Sequence, residues 1–246
     1  MNRRVLVTGS SRGIGKAIAL ELAAQGWLVA LHASSSSPEL EETVRQLGAH
    51  ASETYVCDLS QPEGVQEFWT SVESDGELTA VVNNAGVYLP LHLLKATDEE
   101  FSSNLARTLA INFESPYRLM RAAAKSFSAR GNGKILNVAS RVGFRGESGA
   151  STYSASKAAL INVTRALAVE LAPLNVGVFG IAPGWVDTAM ARSGMEERLP
   201  SILESIPLGR MASPEDCAAA ASFLLSEKAA YLSGVVIDIN GASYFH

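Results

Sequence analysis

Arg4-Val5-Leu6-Val7-Thr8-Gly9-Ser10-Ser11-Arg12-Gly13-Ile14-Gly15 is the stretch whose reading decides the fold. A short apolar, β-branched run at Arg4–Thr8 reads as a buried strand, and a helical pattern follows at Gly15–Gln25. A glycine-rich loop between a strand and a helix N-terminus presents unpaired backbone N–H groups and the positive end of the helix dipole, which together suit a pyrophosphate. Gly9, Gly13 and Gly15 leave room for close approach, and Ser11, Arg12 and Ile14 complete the candidate phosphate loop. The spacing differs from G-x-G-x-x-G, and glycines alone also mark ordinary tight turns, so the position directly after the first strand carries the meaning.

Outward from this loop, β-rich runs alternate with helical ones. Strands are expected at Leu28–Leu31, Thr54–Val56, Ala80–Asn83, Lys134–Val138, Val176–Ala182 and Val235–Ile239. Helices are expected at Pro38–Leu47, Pro62–Val72, Glu99–Ala129 with a possible break, Thr152–Ala172 and Pro214–Leu225. Each parallel crossover needs a helix on the sheet, so the alternation predicts a doubly wound α/β, Rossmann-type sheet of seven strands with helices on both faces. Gly26 as a C-terminal cap, Pro173 as a stop and Ser213-Pro214 as a start agree with these bounds. No linker or repeat divides residues 1–246, which are expected to form one domain, and Ser34–Ser37 is too short to separate two.

Composition narrows the partners. The 246 residues are 47% hydrophobic and 18% charged, enough apolar material for a large buried sheet, and the net charge of -5 disfavours nucleic acid or an anionic membrane. Cys57 and Cys217 define neither a disulfide framework nor a metal spacing, and His32, His50, His92 and His246 are scattered, so no metal is expected. No signal peptide pattern opens the chain and no apolar stretch approaches the roughly 20 residues of a membrane span, so a cytoplasmic location is expected.

The second strand ends Leu31-His32-Ala33-Ser34, without the acid that usually takes the adenosine ribose in NAD-selective sites. Arg12, Ser34 and Ser35 there favour a 2′-phosphate, hence NADP(H); the competing reading is a solvated loop arginine and a plain serine turn. Tyr153 and Lys157 lie one turn apart on one helix face, where an ammonium would lower the phenol pKa, although such a pair alone is also compatible with an ordinary helix surface.

With these motifs in order, the chain resembles the classical short-chain dehydrogenase/reductase family over essentially its full length. The matching positions are Thr8–Gly15, Asp58, Asn83-Asn84-Ala85-Gly86, Asn112, Ser140, Tyr153 with Lys157, and Pro183-Gly184 followed by Thr188. The resemblance implies an NADPH-dependent oxidoreductase acting on a ketone or secondary alcohol. Tyr153 would be the general acid/base, Ser140 would bind the carbonyl oxygen, and Lys157 would hold the nicotinamide ribose and tune Tyr153. Asn112 would hold a water linking Lys157 to solvent. Gly9, Arg12 and Ile14 would line the phosphates, and Asp58 with Leu59 would meet the adenine. Asn84, Ala85 and Gly86 would meet the riboses, and Pro183, Gly184, Val186 and Thr188 the carboxamide end. Ser140 as a turn cap, Asn112 as a backbone brace and Asn83 as a sheet brace are the competing readings, and for Asn83 the brace is preferred.

The pattern is most similar to the 3-oxoacyl-acyl carrier protein reductases, sharing the glycine-rich start and the Gly209-Arg210, Tyr231–Gly234 and Asn240-Gly241 ending. Arg130 and Lys134 would supply one basic patch for an acidic carrier. The second patch is replaced by Ala172-Pro173-Leu174-Asn175, which favours a small free ketone or alcohol over a carrier-bound acyl thioester. Residues 188–207, with Met190, Met195, Leu199 and Ile202, are expected to form a lid, and Val142, Phe144, Ser148, Trp185 and Met190 a partly apolar pocket. The family resemblance also implies a homotetramer assembled through helices near Asn104–Ala129 and Thr152–Ala172.

Overall fold

The computed structural model describes residues 3–192 and 198–246. Seven strands, β1 (Arg4–Val7), β2 (Leu28–Ala33), β3 (Ala51–Val56), β4 (Ala80–Asn83), β5 (Gly133–Val138), β6 (Val176–Pro183) and β7 (Val236–Ile239), form one sheet in the order β3-β2-β1-β4-β5-β6-β7. All neighbours are parallel, with Val5 beside Val29 on one flank and Ala80 on the other. The chain runs outward from β1 to β3, then returns to the opposite side of β1 at β4. The loops after β1 and β4 therefore diverge and open a crevice at the carboxyl ends of the strands.

Alternation along each strand splits the core in two. Val5 and Val7 of β1, with Leu31 and Ile181, face a cluster that includes Ile18 and Leu22 of α1 (Gly13–Ala24), Leu40 of α2 (Pro38–Leu47) and, after the intervening helices, Leu224 near the chain's end. Leu6, Ala30 and Val81 point the other way, onto Phe68 and Trp69 of α3 (Val65–Ser74) and a further layer holding Leu119, Phe127 and Leu160. The central strands are buried on both faces, which is why they read as unbroken apolar runs.

Three expectations change at their edges. β3 begins at Ala51 rather than Thr54; it is an edge strand with exposed Glu53, Thr54 and Val56, so burial leaves little apolar pattern to read. The expected helix at Pro62 opens with a tight three-residue turn, Pro62–Gly64, before α3. The long helix breaks: α4 (Asp98–Leu109) starts in a Thr97/Glu100 capping box, a π-helical turn spans Ala110–Glu114, and α5 (Ser115–Arg130) carries Pro116 in its first turn. α5 ends at Gly131 in the left-handed region, φ 66°.

α6 (Ser151–Leu171) packs on β6 and carries Tyr153 and Lys157 in its first turns. Beyond β6, the segment expected as a lid contains two short helices, α7 (Ala189–Arg192) and α8 (Leu199–Glu204). Ile202 and Ile206 pack with Trp185, Ala191 and Met211, so part of its apolar side is anchored to the body, while Met195 lies outside the described residues. α9 (Pro214–Leu225), opened by a Ser213/Asp216 capping box, returns against α1 before β7.

Candidate active site

The loops after β1 and β4 are stitched together at the crevice. The hydroxyl of buried Thr8 accepts the backbone N–H groups of Asn84 and Ala85, each at 3.0 Å, and donates to the Val82 carbonyl at 3.2 Å. The Asn84 amide donates to the carbonyls of Thr8 (2.8 Å) and Gly9 (3.1 Å). Gly15 lies under this knot: a Cβ there would fall 2.2 Å from the Gly9 oxygen and 2.3 Å from Asn84 Nδ2. Gly9 sits at φ +64°, a region that disfavours side chains, with Ala85 Cα 2.9 Å from where its Cβ would be. Arg12 occupies the N-cap of α1 without a side-chain cap, so the first N–H groups of the helix remain available to an anion.

His32 is a residue of this site that sequence reasoning left among scattered histidines. Its Nδ1 accepts the Gly9 N–H at 3.2 Å, and its Nε2 donates to the Cys57 carbonyl at 2.9 Å, an assignment fixed by the obligatory roles of those backbone partners. The ring is buried, packs on Phe68 with centroids 5.0 Å apart, and is pushed down to a pKa of about 4 by that burial, partly opposed by the Cys57 carbonyl. A polar ring ending an otherwise apolar strand was the available signal.

One cleft of about 640 Å³ collects the expected cofactor-binding side. Gly9 and the run Ser11–Gly15 line one end, with Ser34, Asp58 and Leu59 beside them. Asn84, Ala85 and Gly86 line it too, as do Pro183, Gly184, Val186 and Thr188, whose side chain lies close to Gly13. Ser35 is exposed and lies outside that lining. The Asp58 carboxylate accepts from the Ser60 N–H (2.9 Å) and hydroxyl (2.8 Å), which hold its pKa below the usual carboxylate value.

Ser140, Tyr153 and Lys157 face the same cleft. Ser140 follows β5, its Oγ in long contacts of 3.4 Å from the Val142 N–H and 3.5 Å to the Pro183 carbonyl. Tyr88 meets Tyr153 edge to face with centroids 5.1 Å apart. Burial pushes the Tyr153 phenol up to about 12; a hydrogen bond with Ser140 pulls it down, and Tyr88 and Glu147 push it further up. The expected lowering by Lys157 is therefore reversed in the protein alone. Lys157 Nζ donates to the Val138 carbonyl at 2.8 Å and lies 5.7 Å from the Tyr153 ring centroid, and burial lowers its own pKa to about 8. At neutral pH the phenol is protonated and the lysine still mostly charged.

Asn112 does not line the cleft but lies buried behind it, in the π-helical turn. Its Oδ1 accepts the Val87 N–H at 2.8 Å, and its Nδ2 donates to the Val87 carbonyl (2.9 Å) and Ser156 Oγ (3.2 Å). A Cβ on Gly86 would come within 3.2 Å of Asn112 Oδ1 and 3.5 Å of Lys157 Nζ, so the glycine keeps these three groups together. Asn83 is buried and donates to Asn137 at 2.8 Å, the bracing arrangement.

The basic patch expected from Arg130 and Lys134 is consumed internally. Arg130 contacts Glu73 at 3.2 Å and Glu77 at 3.0 Å and donates to the Leu78 carbonyl, while Lys134 donates to the carbonyls of Leu225 and Ser226 and to Glu227 at 2.8 Å. Among the described residues no cluster of His, Cys, Asp or Glu could hold a metal ion, and no helix is long and apolar enough to cross a membrane.

Residues 9–242 match the family model described as enoyl-(acyl carrier protein) reductase. A 3-oxoacyl-[acyl-carrier-protein] reductase of Pseudomonas aeruginosa is 37% identical over 242 residues, 97% of this chain and 96% of that protein. Its counterpart in Escherichia coli is 33% identical over 240 residues, again 97% and 96%. Among solved structures, a candidate NAD(P)-dependent gluconate 5-dehydrogenase of Beutenbergia cavernae with NADP bound at low occupancy superposes with a TM-score of 0.91 at 32% identity, covering 98% of this chain and 96% of that one. A candidate 2-deoxy-D-gluconate 3-dehydrogenase of Agrobacterium tumefaciens with bound NADP gives 0.87 at 30% identity and the same coverage.

Proposed function

This chain belongs to the short-chain dehydrogenase/reductase family, and on that premise we propose that it is an NADPH-dependent reductase of small free ketones, reversible toward secondary alcohols. The observation that carries the reading is that Ser140, Tyr153 and Lys157 line the same cleft as the glycine loop. The residues fit a dinucleotide: Gly9, Gly15 and Gly86 line the cleft without side chains, and the N–H groups opening α1 suit its phosphates. NADP(H) is favoured over NAD(H) because β2 ends without an acid while Arg12 and Ser34 line the cleft. Asp58 and Leu59 would meet the adenine, and Val186 and Thr188 the carboxamide.

Bound in this cleft, NADPH would supply the hydride that reduces the carbonyl carbon, at the cost of its own oxidation to NADP+. Tyr153 gives its phenolic proton to the carbonyl oxygen, whose growing charge Ser140 also hydrogen-bonds. Lys157 stabilises the resulting phenolate until a solvent proton restores it, so each turnover consumes one ketone, one NADPH and one proton. Asn112 fixes the backbone at Val87 and bonds Ser156, the residue before Lys157 on α6.

A free substrate is preferred over an acyl carrier thioester because Arg130 and Lys134 are already neutralised within the chain. We also propose a cytoplasmic homotetramer. The exposed apolar side chains of Leu105 on α4, Tyr117 on α5 and Val169 on α6 support assembly through those helices, and sedimentation as a monomer would contradict it.

The test is NADPH consumption against a panel of free ketones. Turnover is expected with NADPH in preference to NADH, and Tyr153→Phe is expected to cut kcat by about 10³-fold. Undiminished turnover in that variant would overturn the reading.

A further inference from the structure

The substrate end of the cleft holds an array that the hydride and proton chemistry does not use. Glu147, only 20% exposed at its side chain, lies between Arg141 and Arg198, each guanidinium 3.6 Å from a different carboxylate oxygen. Both separations exceed hydrogen-bond length, so the two ion pairs are loose. All three residues line the cleft.

Arg141 follows Ser140 directly and is 6% exposed at its side chain. It donates from one terminal nitrogen to Ser243 Oγ at 2.9 Å, yet its Nε is buried with no partner among the described residues. A buried guanidinium donor left unpaired is unfavourable and calls for a partner. Burial, and after it the charge of Arg145, disfavours the charge on Arg141, while Glu147 favours it. Arg198, 59% exposed and with its guanidinium carbon 5.8 Å from the Trp185 ring centroid, is the N-cap of α8. One carboxylate thus faces two arginines inside a single cleft.

Resting on the ketone-reductase reading, we propose that the substrate carries a carboxylate near its carbonyl: the array is an acid-recognition subsite in which Arg198 and Arg141 take the substrate anion and Glu147 holds both arginines in position. The planar guanidinium fork matches a carboxylate in two-point fashion, and the Trp185 ring lies against the Arg198 guanidinium. Glu147 competes with the incoming acid for the same donors, so it sets the affinity for that acid as well as the arginine geometry. A neutral ketone gains none of these contacts.

The test compares acetoacetate, levulinate and 5-ketogluconate, each beside its methyl ester, as substrates with NADPH. In parallel, the same acids and esters are titrated calorimetrically into the NADP+-loaded enzyme. Wild type is expected to favour acid over ester by about tenfold or more in kcat/KM for at least one pair. Arg198→Gln, at an exposed position that does not threaten folding, is expected to collapse that ratio through KM, and Arg198→Lys to restore part of it. Glu147→Gln is expected to act in the opposite direction and enlarge the acid preference, an outcome that a merely structural role would not produce. Equal or better use of the esters, or a ratio unmoved by Arg198→Gln, overturns the subsite even if ketone reduction holds. Selective acid binding without turnover of any ketone would instead sink the reductase reading and leave the subsite standing.

Discussion

The two ends of the cleft are built differently. At the glycine-loop end, Thr8, Asn84 and His32 tie three loops together through backbone hydrogen bonds of 2.8–3.2 Å, and the glycines fit with no room for a Cβ. At the substrate end, Ser140 is held by contacts of 3.4 and 3.5 Å, and Arg141, Glu147 and Arg198 sit in loose pairs at 3.6 Å. The first end is preorganised for one invariant shape, a dinucleotide. The second keeps donors and acceptors in reserve for a group that arrives with the substrate. Rigidity is placed where the ligand never changes, and adaptability where specificity is set.

The contrast can be broken most severely at Gly15. Its missing Cβ would meet a backbone oxygen at 2.2 Å, so Gly15→Ala is expected to weaken NADPH binding by about a hundredfold, near 3 kcal/mol, in calorimetric titration. An unchanged affinity would show that the knot is looser than described. A pH-dependent effect of comparable size, on stability rather than on binding, is expected at His32. Its folded pKa of about 4 lies below the ordinary 6.5, so in that interval the unfolded chain takes up a proton that the folded chain refuses. Stability should fall as pH is lowered from 6.5 through 4, with a limiting loss of about 3 kcal/mol from this one group. His32→Gln, which keeps a donor and an acceptor but does not titrate, is expected to flatten that part of the profile in urea unfolding at pH 7 and 4.5. The same acid loss in the variant would move the cause elsewhere.

The rigid end was also the legible one. The strand, the glycine loop and α1 are contiguous in sequence, and Tyr153 and Lys157 are one turn apart, so their spacing alone carries the geometry. A break was expected somewhere in Glu99–Ala129, but the π-helical turn that places Asn112 depends on how α4 and α5 pack and leaves no periodic signal. His32 gained its role only through Gly9 and Cys57, on two other loops. The substrate end was hardest to read: Arg141, Glu147 and Arg198 span more than fifty positions and are joined only by the fold. The phenol was misjudged for a related reason. Proximity to Lys157 along the helix suggested a lowered pKa, whereas burial, joined by Tyr88 and Glu147 and opposed by the Ser140 hydrogen bond, produces a raised one.

The most direct measurement follows a deuterium label from C4 of NADPH. In wild type, label from the reduced ring is expected on the carbinol carbon of the product, with the hydroxyl proton drawn from solvent. Loss of the label to water, or folded protein that neither binds nor oxidises NADPH with any ketone, would contradict the account.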